Sequence, residues 1–81
     1  FNPGTRISYS LREGGWVNLT LYTLTGEKLQ TLQEGYQSAG SYTITADLGH
    51  LASGIYLYRI EVHNRNRIPV FRDMKKLVLL K

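Results

Sequence analysis

Apolar residues recur at every second position along most of this chain, and a period of two dictates β-structure. Ile7, Tyr9 and Leu11 alternate with Arg6, Ser8 and Ser10; Val17, Leu19 and Leu21 with Asn18, Thr20 and Tyr22; Tyr42, Ile44 and Ala46 with Ser41, Thr43 and Thr45. Successive strand side chains point to opposite faces, so each run offers one face to a core and the other to water. Turn formers sit between the runs at Gly14-Gly15, Thr25-Gly26, Gly35 and Gly40. Strands at intervals of about ten residues have the rhythm of a sandwich or barrel. Nothing reads as a long amphipathic helix.

The irregular stretches are informative too. In Lys28-Leu29-Gln30-Thr31-Leu32-Gln33 the leucines are three apart, so a strand needs a bulge to bury both, and a bend is expected in preference to a helix turn. Asp47 to Gly54 reads as a long connection with one helical turn near Leu48–Leu51. Tyr56, Tyr58, Ile60 and Val62 form the strongest alternating run. Ile55 and Leu57 make its other face apolar, which predicts a central strand covered on both sides there. Asn64-Arg65-Asn66 is a polar turn, and Pro69 belongs at an edge, bulge or loop because it cannot donate to a ladder. In Lys75-Lys76-Leu77-Val78-Leu79-Leu80-Lys81, Leu77 and Leu79 share one face, Val78 and Leu80 the other. A last strand apolar on both faces is either central or touches something outside the domain.

Composition narrows the classes. Eighty-one residues make one domain, residues 1–81, with a small core. Without cysteine there are no disulfides and no thiolate metal sites. No apolar run approaches the ~18 residues of a membrane span. The chain opens without Met or leader, and Phe1-Asn2-Pro3-Gly4 reads as the interior of a longer, secreted protein. Residues 1–58 carry Arg6, Arg12 and Lys28 against Glu13, Glu27, Glu34 and Asp47, a net −1. Residues 59–81 carry seven cations against Glu61 and Asp73, a net +5, so the whole excess of +4 lies in the last quarter. That asymmetry fits an anionic partner, or a basic edge that resists aggregation.

The most specific local motif is Leu51-Ala52-Ser53-Gly54-Ile55-Tyr56, which fits Leu-x-x-Gly-x-Tyr, the tyrosine corner of Greek-key sandwiches. Leu51, Gly54 and Tyr56 then have a structural role. The ring adds apolar burial, the hydroxyl returns to upstream backbone, and Gly54 permits a tight entry into the strand. Asp47, His50 and Ser53 lie together in one arch without a nucleophile-elbow pattern, and a triad is defined by geometry rather than sequence proximity. No enzymatic activity is expected. His50 and His63 have no third ligand at metal spacing, and no Asp-rich loop suggests calcium, so no cofactor is expected. Trp16, Asn18, Thr20 and Tyr22 share a polar, aromatic face that suits either a glycan or plain solvent. Phe71 alone interleaves with the basic cluster, and no nucleic-acid-binding motif appears, which argues against nucleic acid.

Five segments in order resemble one family. Phe1-Asn2-Pro3-Gly4-Thr5-Arg6-Ile7-Ser8-Tyr9-Ser10-Leu11 looks like the opening FNPxTxIxYxL of bacterial C-terminal sorting domains. Val17 to Lys28 resembles their VxLxIYDxxGRxV segment, and Gly40-Ser41-Tyr42 a later strand. Leu51 to Ile60 resembles LxsGvYfYrl, and Met74 to Lys81 the terminal xKKmvllK. The family is the type A C-terminal domain of the type IX (Por) secretion system of the Bacteroidetes group, related to the Ig-like domain of the flagellar hook-capping protein. The resemblance implies an all-β, Ig-like Greek-key β-sandwich of about seven antiparallel strands. It implies a targeting signal for a cargo domain N-terminal in the parent chain. The cargo passes through the periplasm, is recognised by an outer-membrane translocon, reaches the cell surface and is cut by a sortase-like peptidase. Gly54 and Tyr56 match the family's GxY, and Lys75 to Lys81 its terminal signal. Thr23 and Thr25 depart from the pattern, which predicts a turn with weakened side-chain hydrogen bonding.

The recognition element expected on these grounds is the last strand: Lys75, Lys76, Leu77, Val78, Leu79, Leu80 and Lys81. One face docks in the sandwich while the other, with the lysines, meets an acidic groove. Self-association through an open strand edge is a further expectation. The competing readings are an Ig-like spacer or assembly module, as in the hook cap, and a carbohydrate-binding module.

Overall fold

The computed structural model describes residues 4–80, so the opening Phe1-Asn2-Pro3 and the final Lys81 lie outside the described residues. The chain forms six strands: β1 Gly4–Leu11, β2 Gly15–Thr23, β3 Lys28–Gln37, β4 Gly40–Asp47, β5 Gly54–His63 and β6 Pro69–Leu79. All pairings are antiparallel. β1 and β4 make a two-stranded sheet, and the other four make a sheet in the order β3-β2-β5-β6. The chain therefore changes sheets after β1, β3 and β4. Those orders coincide with strands B-E and C′-C-F-G of an immunoglobulin sandwich without A and D. About seven strands were expected; six form among the described residues, because the small sheet contains only two.

Period-two patterning produces this arrangement directly. Ile7 and Leu11 of β1, Val17, Leu19 and Leu21 of β2, Ala46 of β4, and Ile60 and Val62 of β5 are all buried, together with Leu48, Leu77 and Leu79. Tyr9, Tyr42, Ile44, Tyr56 and Tyr58 pack around them. On the outer side of the small sheet, hydroxyls bridge the strands, Ser8 Oγ to Thr43 Oγ1 at 3.0 Å and Ser10 Oγ to Ser41 Oγ at 3.1 Å. At the mouth of the sandwich Tyr9 stacks on Tyr42, centroids 5.5 Å apart, and donates to Gln37 Oε1 at 2.5 Å.

The irregular stretches resolve into defined devices. Residues 28–33 are strand, not bend. β3 slips register twice against β2, so that Leu32 and then Leu29 are the extra residues of two bulges. A bulge re-aims one side chain, which brings Leu32 onto the core while Leu29 stays 37% exposed. The turn after β2 keeps its side-chain bonding, contrary to expectation. Thr23 Oγ1 accepts the Glu27 N–H at 3.0 Å and also meets Thr25 Oγ1 at 3.0 Å, while Gly26 takes the positive φ (92°) the turn requires. The arch from β4 to β5 contains no helical turn. A single reverse turn closes with the Leu51 N–H on the Leu48 carbonyl at 3.0 Å, and Leu48 plugs the core from it. β5 and β6 are joined by a hairpin in which Asn64 Oδ1 accepts the N–H groups of Asn66 and Ile68, and Pro69 opens β6 beside a bulge.

Tyr56, near the start of β5, donates its hydroxyl to the Ala52 carbonyl at 2.6 Å, four residues upstream in the arch. Gly54 is not held by backbone strain. Its φ is not in the left-handed region, and an added Cβ meets only Tyr56 Cε2 at 3.9 Å, so the expected tight entry is not what glycine supplies there. Gly15 is different, since a Cβ there would sit 2.7 Å from both the His63 carbonyl oxygen and Val62 Cγ1.

Two outcomes follow from this packing. Tyr56→Phe removes one hydrogen bond and lowers stability by about 0.5–1.5 kcal/mol, whereas Gly54→Ala stays within about 0.5 kcal/mol; urea midpoints of the two variants measure both. Burial pushes the Tyr9 phenol pKa up, with a smaller push from Tyr42. The folded state thus holds this proton more tightly than the unfolded chain. Stability from Tyr9 is complete below about pH 10, the ordinary tyrosine value, and is lost as pH rises through the raised one. Alkaline urea titrations are expected to show this fall, and Tyr9→Phe to flatten it.

Candidate functional site

The closing strand sits at the edge of the larger sheet, hydrogen-bonded to β5 alone. The sequence left open whether it is central; it is not. From Phe71 to Leu79 it runs in unbroken register against β5, Val62 to Gly54. That makes its edge unlike that of β3, where two bulges interrupt the ladder.

Burial divides β6 into two halves. Leu77 is 5% and Leu79 3% exposed, facing inward beside Tyr56 and Gly54, while Val78 is 59% and Leu80 74% exposed. Every residue from Pro69 to Lys76 is exposed. Phe71, Asp73 and Lys75 lie opposite Val62, Ile60 and Tyr58, so they occupy the core side of the sheet, yet the two-stranded sheet does not reach far enough to cover them. They line a groove with Ile7, Tyr9 and Ser10 of β1. Lys76, on the outer face, lies opposite Leu57. Lysines therefore stand on both faces of one open edge.

On the outer face Val78 lies opposite Ile55, which is 45% exposed. The expectation that β5 is covered on both sides at its start fails for a simple reason: among the described residues no second layer packs on that face, and Ile55 stays exposed. The result is an apolar patch of Ile55, Val78 and Leu80 next to Lys76. Further along, Glu61 ties β5 to β6 by accepting the Arg72 Nε–H at 2.6 Å, with Arg72 Nη2 at 2.5 Å and His63 Nε2 at 3.5 Å from the same carboxylate. Neither Ile55 as part of the patch nor the Glu61–Arg72 clamp was recognised in the sequence, because both depend on the β5–β6 register. Of the expected recognition segment, Lys75 to Leu80 are placed together on this strand and its end, and Lys81 lies outside the described residues. Gly54 and Tyr56 open β5 directly opposite Leu79 and Leu77, and Leu51 and Tyr56 pack against the same core.

The arch that carries Asp47, His50 and Ser53 is a connector. Asp47 Oδ1 accepts the Gly49 N–H at 3.1 Å. Among the described residues no three acidic, His or Cys side chains are grouped to hold a metal ion.

Searches of the curated proteins and of the solved structures returned no match to this chain. A family model does match, over residues 2–71, so the matched stretch takes in β1 to β5 and the start of β6 and stops short of Lys75. By that match over most of its length, the chain belongs to the family of secretion system C-terminal sorting domains.

Proposed function

We propose that the machinery of type IX secretion reads this domain at its closing strand, with Lys75, Lys76, Leu77, Val78, Leu79, Leu80 and Lys81 as the recognised segment. A sorting domain of this family marks a cargo-carrying parent chain for export. The observation that carries the finer reading is the open edge of β6, anchored by Leu77 and Leu79 and bare at Val78 and Leu80.

An added strand along such an edge gains main-chain hydrogen bonds, and alternate side chains select the partner. Arg72, Lys75 and Lys76 favour an acidic receptor groove. Their mutual repulsion also disfavours pairing of β6 with its own copy, so the edge is kept for a partner of opposite charge. In this reading the cargo enters the periplasm on a separate signal. The outer-membrane translocon then engages β6, and a sortase-like peptidase separates domain from cargo at the cell surface. The domain itself catalyses nothing.

The test leaves the core intact. Lys76→Glu, Val78→Ser and Leu80→Ser, combined, change only outward-facing side chains. In a bacterium carrying the type IX system, a secreted reporter fused to this variant should reach the surface less by about tenfold or more, as for a loss of about 1.4 kcal/mol in recognition. Its stability should stay within about 0.5 kcal/mol per site of the parent domain. Undiminished surface display of a folded variant would overturn the proposal.

A further inference from the structure

The outer face of the larger sheet carries a second site, centred on β2 and β5 rather than on the free edge of β6. β2 and β5 are interior strands, so their main-chain groups are spent on their neighbours and any ligand here must be read by side chains. Trp16 is 47% and Tyr36 60% exposed; they meet edge to face, ring centroids 5.1 Å apart, at one end of a shallow trough. Six residues along β2, roughly 20 Å at strand rise, Tyr22 supports the guanidinium of Arg59, which lies 5.2 Å from its ring centroid. Between these ends stand Asn18 and Glu34, joined at 3.3 Å, and Thr20, whose hydroxyl donates to Asn18 Oδ1 at 2.5 Å.

Arg59 is the anomaly. Its Nε is buried with no hydrogen-bond acceptor. Among the described residues no carboxylate comes within ion-pair distance of it, since Glu61, two residues along β5, is engaged by Arg72 and His63. A guanidinium that lies over an aromatic ring and outside any ion pair among the described residues can donate N–H groups to an incoming carboxylate.

From these observations we infer that this face binds an acidic oligosaccharide: a sugar ring stacks on Trp16, hydroxyls bond to Asn18 and Glu34, and a uronate carboxylate pairs with Arg59. Exposed rings spaced along a flat polar face suit sugar rings, whose apolar faces lie on aromatics while their hydroxyls need flanking hydrogen-bond partners. A single-stranded nucleic acid also stacks on aromatics, but its unbroken row of phosphates would run against the carboxylates of Glu34 and Glu61, and the same repulsion limits the sugar chain to one uronate, at the Arg59 end, with neutral rings elsewhere. The strand edge beside this site, β3, is interrupted by two bulges, which disfavours an added acidic peptide.

The 15N-labelled 81-residue chain can be titrated with glucuronosyl-xylotriose and glucuronosyl-cellotriose, each bearing one uronate, and separately with neutral cellotetraose, a glutamate decamer and an oligothymidylate. At least one uronate should shift the Trp16 indole N–H and Arg59 Nε–H resonances, with cellotetraose markedly weaker. Arg59→Gln and Trp16→Ala should each weaken that binding by about tenfold or more, the weight of one charge-assisted contact, while the rest of the amide spectrum keeps its dispersion. The inference is overturned if neither uronate moves those resonances, if a folded Arg59→Gln binds as well as the parent, or if the peptide or the oligonucleotide binds equally well. None of these outcomes bears on the β6 edge.

Discussion

The structure depends on one contact, the packing of a two-stranded sheet on a four-stranded one. Leu19 and Leu21 of β2 and Leu48 of the arch have no exposed surface, and Ile7 and Leu11 of β1 close over them. Each such side chain contributes on the order of 1.5–3 kcal/mol by leaving water, and a chain this short has few of them. The mismatch in width matters as much as the contact. Two strands cannot cover four, so the inner face is dry over β2 and β5 and open over the first half of β6. The closing strand is thus pinned near its end by Leu77 and Leu79 and uncovered elsewhere. That is the state a strand needs if another protein is to grip it without unfolding the domain.

Charge and edge geometry act together at this strand. Of the cations concentrated in the last quarter of the sequence, Arg72, Lys75 and Lys76 lie on β6 and occupy both its faces, with Lys75 toward the groove beside β1 and Lys76 toward the outer patch. An open, apolar, unbulged edge ordinarily invites pairing with copies of itself, and a row of like charges is the usual defence. The other edge of the same sheet is defended differently, by the two bulges of β3. One edge is disrupted in its backbone; the other keeps a regular ladder and is filtered by charge alone.

Much of this was legible in the residues, because a half-buried strand writes its inner face as every second letter. β1 and β4 follow their alternation residue for residue, β2 departs from it at Thr20, which is buried on the outer face, and the split of Leu77 and Leu79 from Val78 and Leu80 is the same rule at work. What stayed hidden depends on pairing rather than period. The leucines of β3 break alternation because two bulges each add a residue, and no local pattern says whether such a break is a bend or a bulge. Ile55 looked covered because it is apolar, yet apolarity does not reveal whether a second layer exists on that side. The Thr23 turn kept its bonding because a threonine hydroxyl accepts the same N–H that an aspartate would. Gly54 carried no strain, while the close approach at Gly15 was visible only once His63 lay beside it.

We propose the free edge of β6 as the surface the secretion machinery engages, and hydrogen–deuterium exchange of the domain, alone and with the purified outer-membrane translocon, is the decisive measurement. Engagement there gives amides between Phe71 and Leu80 added protection in the complex and leaves β1 and β3 unchanged. Protection confined to β1 or β3, with β6 exchanging as in the free domain, would contradict it.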